Sequence, residues 1–310
     1  MIIGDKRDCE IYYKKLAVEF NLNLQTRPAF SHEGNYTHPT MQKKCEGNLH
    51  WRRNLMTLSR TNDHRNGFVQ PVVFANLFEL LNLTQAPPFR GHLLTSDNSM
   101  CQPLVSRLVE HSRSPLIKDT ILLPIHNNQM QYVRRWTLPV KRTLTQKTCA
   151  WYGGRTGQAY IQSEYNINRT SCPNTLTDRK CIVKMKLPNI SFGTHPQYNQ
   201  FDCMLAIDGN GFAGSFKNAL QSGQLTVRVG GFSNGKRASS YEWFEPFLRP
   251  NYHYIQTSVD GLHDTLEHIK LMPMERIQTI ATNGQSAFSA LVNKTSIRCY
   301  VTNTILKVQF

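Results

Sequence analysis

The residues best suited to chemistry lie in the run Cys203-Met204-Leu205-Ala206-Ile207-Asp208, which leads straight into Gly209-Asn210-Gly211-Phe212-Ala213-Gly214-Ser215-Phe216-Lys217. An apolar strand, a G-x-G-x-x-G turn and the start of a helix follow one another without a gap. Glycine lets backbone approach a diphosphate closely, and a helix N-terminus offers free N–H groups and partial positive charge. The spacing therefore predicts a phosphate-binding turn. A dinucleotide site would also want an acid about 20 residues onward to hold the ribose. Residues 227–238 contain none, and the next acid is Glu242. A Walker-type phosphate loop is absent too. The turn thus points to a phosphorylated nucleotide other than NAD.

Positioning such a turn requires alternating strands and helices. Apolar patterning predicts strands at Thr148–Tyr152, Cys181–Leu187, Asp202–Ile207, Leu225–Val229 and Tyr252–Thr257, with helices at Ala213–Gln221, Asp260–Leu271 and Met274–Leu291. Upstream, helices are expected at Ile11–Phe20, Pro71–Asn82 and Gln102–His111, and strands at His92–Thr95 and Thr120–Ile125. The alternation predicts an α/β fold with parallel sheet. The polar stretch Asn127–Pro139 reads as a boundary, and no internal repeat is present.

The segment from Asp202 through Gly230 continues to Tyr241-Glu242-Trp243-Phe244, Leu248-Arg249-Pro250 and His253-Tyr254. It resembles glycosyltransferase family 90, which includes capsule-associated xylosyltransferases and Rumi-type protein O-glucosyltransferases. Trp151-Tyr152-Gly153-Gly154-Arg155-Thr156-Gly157 looks like that family's donor segment, and Arg60-Thr61-Asn62-Asp63 like its catalytic-base motif. Ile280–Gln285 resembles its later helix.

The resemblance implies a GT-B architecture, two Rossmann-like domains facing across a cleft. It assigns 1–130 to an acceptor-side domain, 131–292 to a nucleotide-sugar donor domain, and 293–310 to a tail packing back on the first. The implied activity is inverting transfer of xylose, or glucose, from a UDP-sugar to a glycan or protein hydroxyl. Asp63 would be the general base, and Arg155 would stabilise the departing UDP. Thr156 and the backbone of Gly211, Phe212, Ala213, Gly214 and Ser215 would cradle the phosphates, and Glu242 would hold the nucleotide. The chain departs from the family where Ser215 replaces an arginine and where Trp151-Tyr152-Gly153 replaces aromatic-Arg-Gly. Lys217 and Arg228 are the candidates to restore the missing charge. No Asp-x-Asp pair suited to a metal-bridged diphosphate stands out, so a metal-independent mechanism is expected, with divalent metal left open. A degenerate, non-catalytic member is the alternative within the family.

The 310 residues carry a formal charge of +15, concentrated around 141–186. That excess suits a phosphorylated substrate, and it also motivates a nucleic-acid-binding alternative, with Arg52, Arg53, Arg60 and Arg65 beside Trp51 and Phe68. No nucleic-acid-binding motif accompanies it, so no nucleic-acid partner is expected. No apolar run is long enough for a membrane span. With a polar first ten residues read as lacking a signal peptide, the expected location is cytoplasmic, as in a bacterial or large algal virus member that glycosylates its own capsid. The eight cysteines form no C-x-x-C and are expected to be reduced. Five sequons, at Asn35, Asn82, Asn168, Asn189 and Asn293, are then expected to have no consequence.

Overall fold

The apolar runs at 203–207 and 225–229 become adjacent central strands of a parallel sheet in the computed structural model. It describes residues 6–24, 47–52, 55–60, 79–82, 89–93, 108–110, 120–122, 142–155, 170–173, 176–193, 200–208, 213–230, 232–233, 236–237 and 242–306. In chain order these hold helix α1 (Lys6–Glu19), then strands β1 (Gly47–Arg52), β2 (Leu55–Arg60), β3 (Phe89–Leu93), β4 (Leu108–Glu110), β5 (Thr120–Leu122) and β6 (Cys149–Gly153). Next come α2 (Asp178–Lys184), β7 (Ile190–Phe192), β8 (Cys203–Ile207), α3 (Gly214–Ser222), β9 (Leu225–Val229), and the short pair β10 (Phe232–Ser233) and β11 (Lys236–Arg237). β12 (Ile255–Thr257), α4 (Leu262–Leu271), α5 (Met274–Val292) and α6 (Lys294–Leu306) complete the set.

The chain divides into two units. The first comprises Met1–Thr137, Glu242–Phe247 and Ala290–Phe310; the second comprises Leu138–Tyr241 and Leu248–Ser289. In the first, β1 and β2 form an antiparallel hairpin with two residues between them, β3 pairs antiparallel with β1, and β4 and β5 continue in parallel. Its helices α1 and α6 are joined covalently by Cys9–Cys299, and the buried Tyr13 hydroxyl donates to the Ser296 carbonyl at 2.8 Å. Burial, reinforced by Tyr300 and Tyr12, raises the Tyr13 hydroxyl well above the usual phenol range, so it stays a neutral donor.

In the second unit five parallel strands are ordered β7-β6-β8-β9-β12. Every residue of β8 and β9 is buried, as a sheet covered on both faces requires. The core gathers Trp151, Leu205, Ile207, Val227 and Val229 from the sheet with Leu262, Ile269, Ile277 and Ile280 from α4 and α5. This is an α/β fold.

Two expected elements are corrected. Residues 181–187 were expected as a strand, but Asp178–Lys184 is helical. Thr177 caps it by accepting from the Lys180 amide at 3.3 Å, with Asp178 in the first turn where the helix dipole favours an acid. The short run Cys181-Ile182-Val183 fits either period. Leu108–Glu110, inside an expected helix, is a strand because it pairs with β3 on one side and β5 on the other, and cross-strand pairing outweighs local propensity. A third correction concerns the thiols. All six described cysteines are paired, as Cys9–Cys299, Cys149–Cys203 and Cys172–Cys181. Spacing along the chain carries no information about cysteines 290 positions apart that the fold brings together.

The amino end of β8 is anchored by Asp202. Its carboxylate accepts from the Arg142 guanidinium at 2.7 and 3.0 Å, from the Gln146 amide at 2.8 Å, and from the Thr145 amide. Burial pushes this carboxyl up, but the Thr145 amide, Arg142 and the Gln146 amide more than offset it and hold the pKa below the ordinary value. A depressed folded pKa means that the stabilisation is fully present above the unfolded pKa and is lost as pH falls through the folded one. Asp202→Asn is therefore expected to lower stability at neutral pH and to flatten the acid limb of unfolding free energy against pH. An unchanged acid limb would remove Asp202 from this role.

Candidate functional site

The strand order of the second unit places β6, the first of its strands in sequence, between β7 and β8, the second and third. Connections leaving β6 and β8 then run to opposite sides, and the crevice between their carboxyl ends is where open α/β sheets bind ligands. The register makes that crevice concrete. β6 pairs with β8 only through Cys149↔Cys203 and Ala150↔Met204. Its last three residues instead pair with β7, as Trp151↔Ile190, Tyr152↔Ser191 and Gly153↔Phe192. The two strands are thus hydrogen-bonded at their amino ends and unladdered toward their carboxyl ends.

Arg179, on α2, spans this gap. Its Nη1 donates to the Gly154 carbonyl just past β6 at 3.2 Å, and Nη2 and Nε donate to the Ile207 carbonyl at the end of β8 at 3.0 and 3.3 Å. Its guanidinium carbon lies 5.4 Å from the Trp151 ring centroid, within cation–π range. Glycine at 153 follows from the same packing, because a Cβ there would lie 2.7 Å from the Trp151 ring. One turn onward, Arg155 is exposed, with its guanidinium 5.3 Å from the Phe192 ring centroid. Two cations therefore sit beside the carboxyl end of β6.

On the other side, β8 leads through Asp208 to the helix α3. Ala213 is its N-cap in extended conformation and provides no side-chain cap. No acid occupies the first turn, so the positive end of the helix is not offset locally. Among the described residues nothing lies within 4 Å of a Cβ built on Gly214, so packing does not dictate glycine there. Ser215 turns its hydroxyl back toward the Leu205 carbonyl at 3.5 Å. Phe216, Ala219 and Leu220 form the buried stripe of α3, and Gly223, at φ 70°, closes it with its amide on the Ala219 and Leu220 carbonyls. Behind it α5 approaches closely. A Cβ on Gly284 would fall 2.2 Å from the His253 carbonyl oxygen, and Gln285 donates to the Gln221 carbonyl at 2.9 Å.

The sequence-derived candidates are placed as follows. Arg155, Ala213, Gly214 and Ser215 lie around the carboxyl ends of β6 and β8. Lys217 and Arg228 are fully buried rather than exposed. Arg228 is committed to the protein: Nη2 lies 2.5 Å from the Asp208 carboxylate, and Nη1 donates to the Val229 and Ala206 carbonyls at 3.0 and 3.3 Å. Glu242 is also fully buried and belongs to the first unit, where its amide donates to the Glu245 carboxylate at 2.9 Å. Asp63, Thr156, Gly211 and Phe212 lie outside the described residues. Sequence reasoning missed Arg179 and Asp208. Arg179 stood in the basic stretch but carried no motif, while Asp208 directly precedes the first turn glycine.

In comparisons with known proteins, no family model and no curated protein matches this chain. Among the described residues, no helix is long and apolar enough to cross a membrane.

Removing Arg179 leaves two strand-end carbonyls without their charged donor, a loss of about 1.5–3 kcal/mol for hydrogen bonds of this kind. Arg179→Ala should lower the thermal midpoint. Arg179→Lys should not restore it, because a single ammonium lacks the planar fork that reaches both carbonyls. Full rescue by lysine would show that only charge is needed.

Proposed function

We propose that the chain is an inverting glycosyltransferase of GT-B type, resembling family 90, that binds a UDP-sugar at the crevice between β6 and β8. The observation that carries this reading is the unladdered carboxyl half of that strand pair. It is flanked by Arg155 and Arg179 on one side and by the acid-free N-terminus of α3 on the other. Such a site suits a diphosphate, because cations and oriented N–H groups stabilise negative charge developing on a leaving group. In this reading Arg155 faces the departing UDP. Arg179, rather than the buried Arg228, supplies the second positive charge. Thr156 and the backbone of residues 211–215 cradle the phosphates, while Glu242, fully buried in the first unit, is not assigned to the nucleotide. Asp63 takes the proton from an acceptor hydroxyl as it attacks the anomeric carbon. The donor sugar is xylose or glucose, and the acceptor is a glycan or protein hydroxyl. Cytoplasmic action is not carried into the proposal, since disulfides are rare in reducing compartments.

UDP should raise the melting temperature. Ligand at a hundredfold excess over Kd adds about 2.7 kcal/mol of stability, and an oligonucleotide should add none. Stabilisation by oligonucleotide alone would replace the transferase with a nucleic-acid-binding protein. In a UDP-sugar panel, Asp63→Asn should lower transfer by roughly 10²–10⁴-fold, the range for loss of a general base, and EDTA should leave it unchanged. Full activity of Asp63→Asn would overturn the base assignment, and strict manganese dependence would overturn the metal-independent mechanism.

A further inference from the structure

Three disulfides join the described cysteines, and they do not resemble a transient catalytic pair. Cys9–Cys299 joins helices near the two ends of the chain, Cys149–Cys203 ties the first paired residues of β6 and β8, and Cys172–Cys181 fixes the approach to α2. All but the partly buried Cys172 lie in the buried interior. Bonds of this kind form and persist in oxidising compartments, whereas cytosolic thiols are kept reduced. In eukaryotic compartments of that kind an Asn-x-Ser/Thr sequon is also an acceptor for glycan. Two sequons lie wholly within the described residues, Asn189-Ile190-Ser191 and Asn293-Lys294-Thr295, and their surroundings differ sharply.

We propose that the chain matures in an oxidising, glycosylating compartment and carries an N-linked glycan on Asn189, with Asn293 left bare. Asn189 sits in the turn before β7 at φ 58°, partly exposed, beside the exposed Lys186 and Pro188. Its carbonyl accepts from the Trp151 amide at 2.9 Å, and its side-chain amide makes no hydrogen bond to the described residues. Among the described residues β7 is the outer strand of the sheet, and the strands are parallel. Asn189 therefore lies at the amino-terminal edge, opposite the crevice at the carboxyl ends, and a glycan there leaves the crevice open. It also shields an outer strand of the kind that proteins blunt against edge-to-edge pairing.

Asn293 is built into its corner. Its Nδ2 donates to the Ala290 carbonyl at 2.7 Å and to the Tyr12 hydroxyl at 3.2 Å, and its Oδ1 accepts from the Ser296 amide at 3.0 Å. A sugar on Nδ2 replaces one of the two hydrogens already in use, so a chain modified there cannot close the junction of α5 and α6.

Each cysteine pair gives up two electrons and two protons to a protein disulfide, which becomes a dithiol. For the glycan, the Asn189 amide nitrogen attacks the anomeric carbon of a lipid-linked oligosaccharide diphosphate. The N–C bond forms, the C–O bond to phosphate breaks, the amide proton goes to a base, and the lipid diphosphate leaves. None of this depends on the reading of the crevice as a UDP-sugar site.

The test uses the chain purified from the cells that make it. Free thiols are blocked with N-ethylmaleimide under denaturing conditions before any reduction, and N-glycans are released enzymatically in heavy-oxygen water. The expected result is no maleimide on Cys9, Cys149, Cys172, Cys181, Cys203 or Cys299. An ¹⁸O-aspartate should appear at position 189, with an unmarked peptide at 293. Maleimide on those cysteines, an unmarked Asn189, or a marked Asn293 would overturn the proposal. Asn189→Gln should lose one glycan in mass while its thermal response to UDP stays unchanged. A response lost with the glycan would overturn the placement of Asn189 away from the crevice.

Discussion

The pairing of β6 with β8 is the constraint on which the second unit turns. β6 must satisfy β8 on one side and β7 on the other, and it divides its length between them. At the amino end, the ladder, the Cys149–Cys203 bond and the Asp202 carboxylate hold the pair together. At the carboxyl end the ladder is gone, and the carbonyls of buried Ile207 and exposed Gly154 are left to other partners. Arg179 provides them. Its fork reaches Gly154 and Ile207 at once, so the crevice is both opened by register and held at a fixed width by one side chain.

That arrangement explains why buried charge accumulates behind the crevice. Asp208 follows directly on β8 and leads into the glycine-rich turn, a poor place for an uncompensated carboxylate if the turn meets an anion. Arg228, from the neighbouring strand, lies against it at 2.5 Å and is itself fully buried above the Phe216 ring. Burying a pair of this kind brings little net stability, since desolvation offsets most of the attraction. What the pair achieves is local: the Asp208 charge is cancelled, and the carboxyl end of β8 is fixed from behind. Positive potential is then left to Arg155, Arg179 and the end of α3.

Much of the second unit was legible because its signals are local and agree with one another. The apolar runs at 202–207 and 225–229 are too short for helices and became β8 and β9. The helix expected at Met274–Leu291 ends within one residue of α5, and the one expected at Ala213–Gln221 lies within one residue of α3 at each end. What stayed hidden depends on contacts across the chain. The β1–β2 hairpin lies in a stretch whose polar residues carry no clear period, and β4 is a strand only because β3 and β5 flank it. The candidate site divides the same way. The glycine turn and Arg155 announce themselves by type and spacing. Arg179 acquires its role only from a strand order that brings Gly154 and Ile207 within reach of one guanidinium. Burial likewise separates Arg228 from Arg155, though the sequence presents both as surplus cations.

The same strand order bears on which side of the crevice can supply positive charge. Ser215 brings no charge to the first turn of α3, and its hydroxyl faces back toward the sheet. Charge facing a diphosphate need not come from that helix, however. A switch-point crevice has two walls, and a guanidinium anchored on the β6 wall can act on the same ligand from the other side. Arg179 is tied to both strand ends and sits over Trp151, so its position costs little further ordering when a ligand arrives. Under the transferase reading, the cation that faces the diphosphate comes from the α2 side of the crevice rather than from the α3 side.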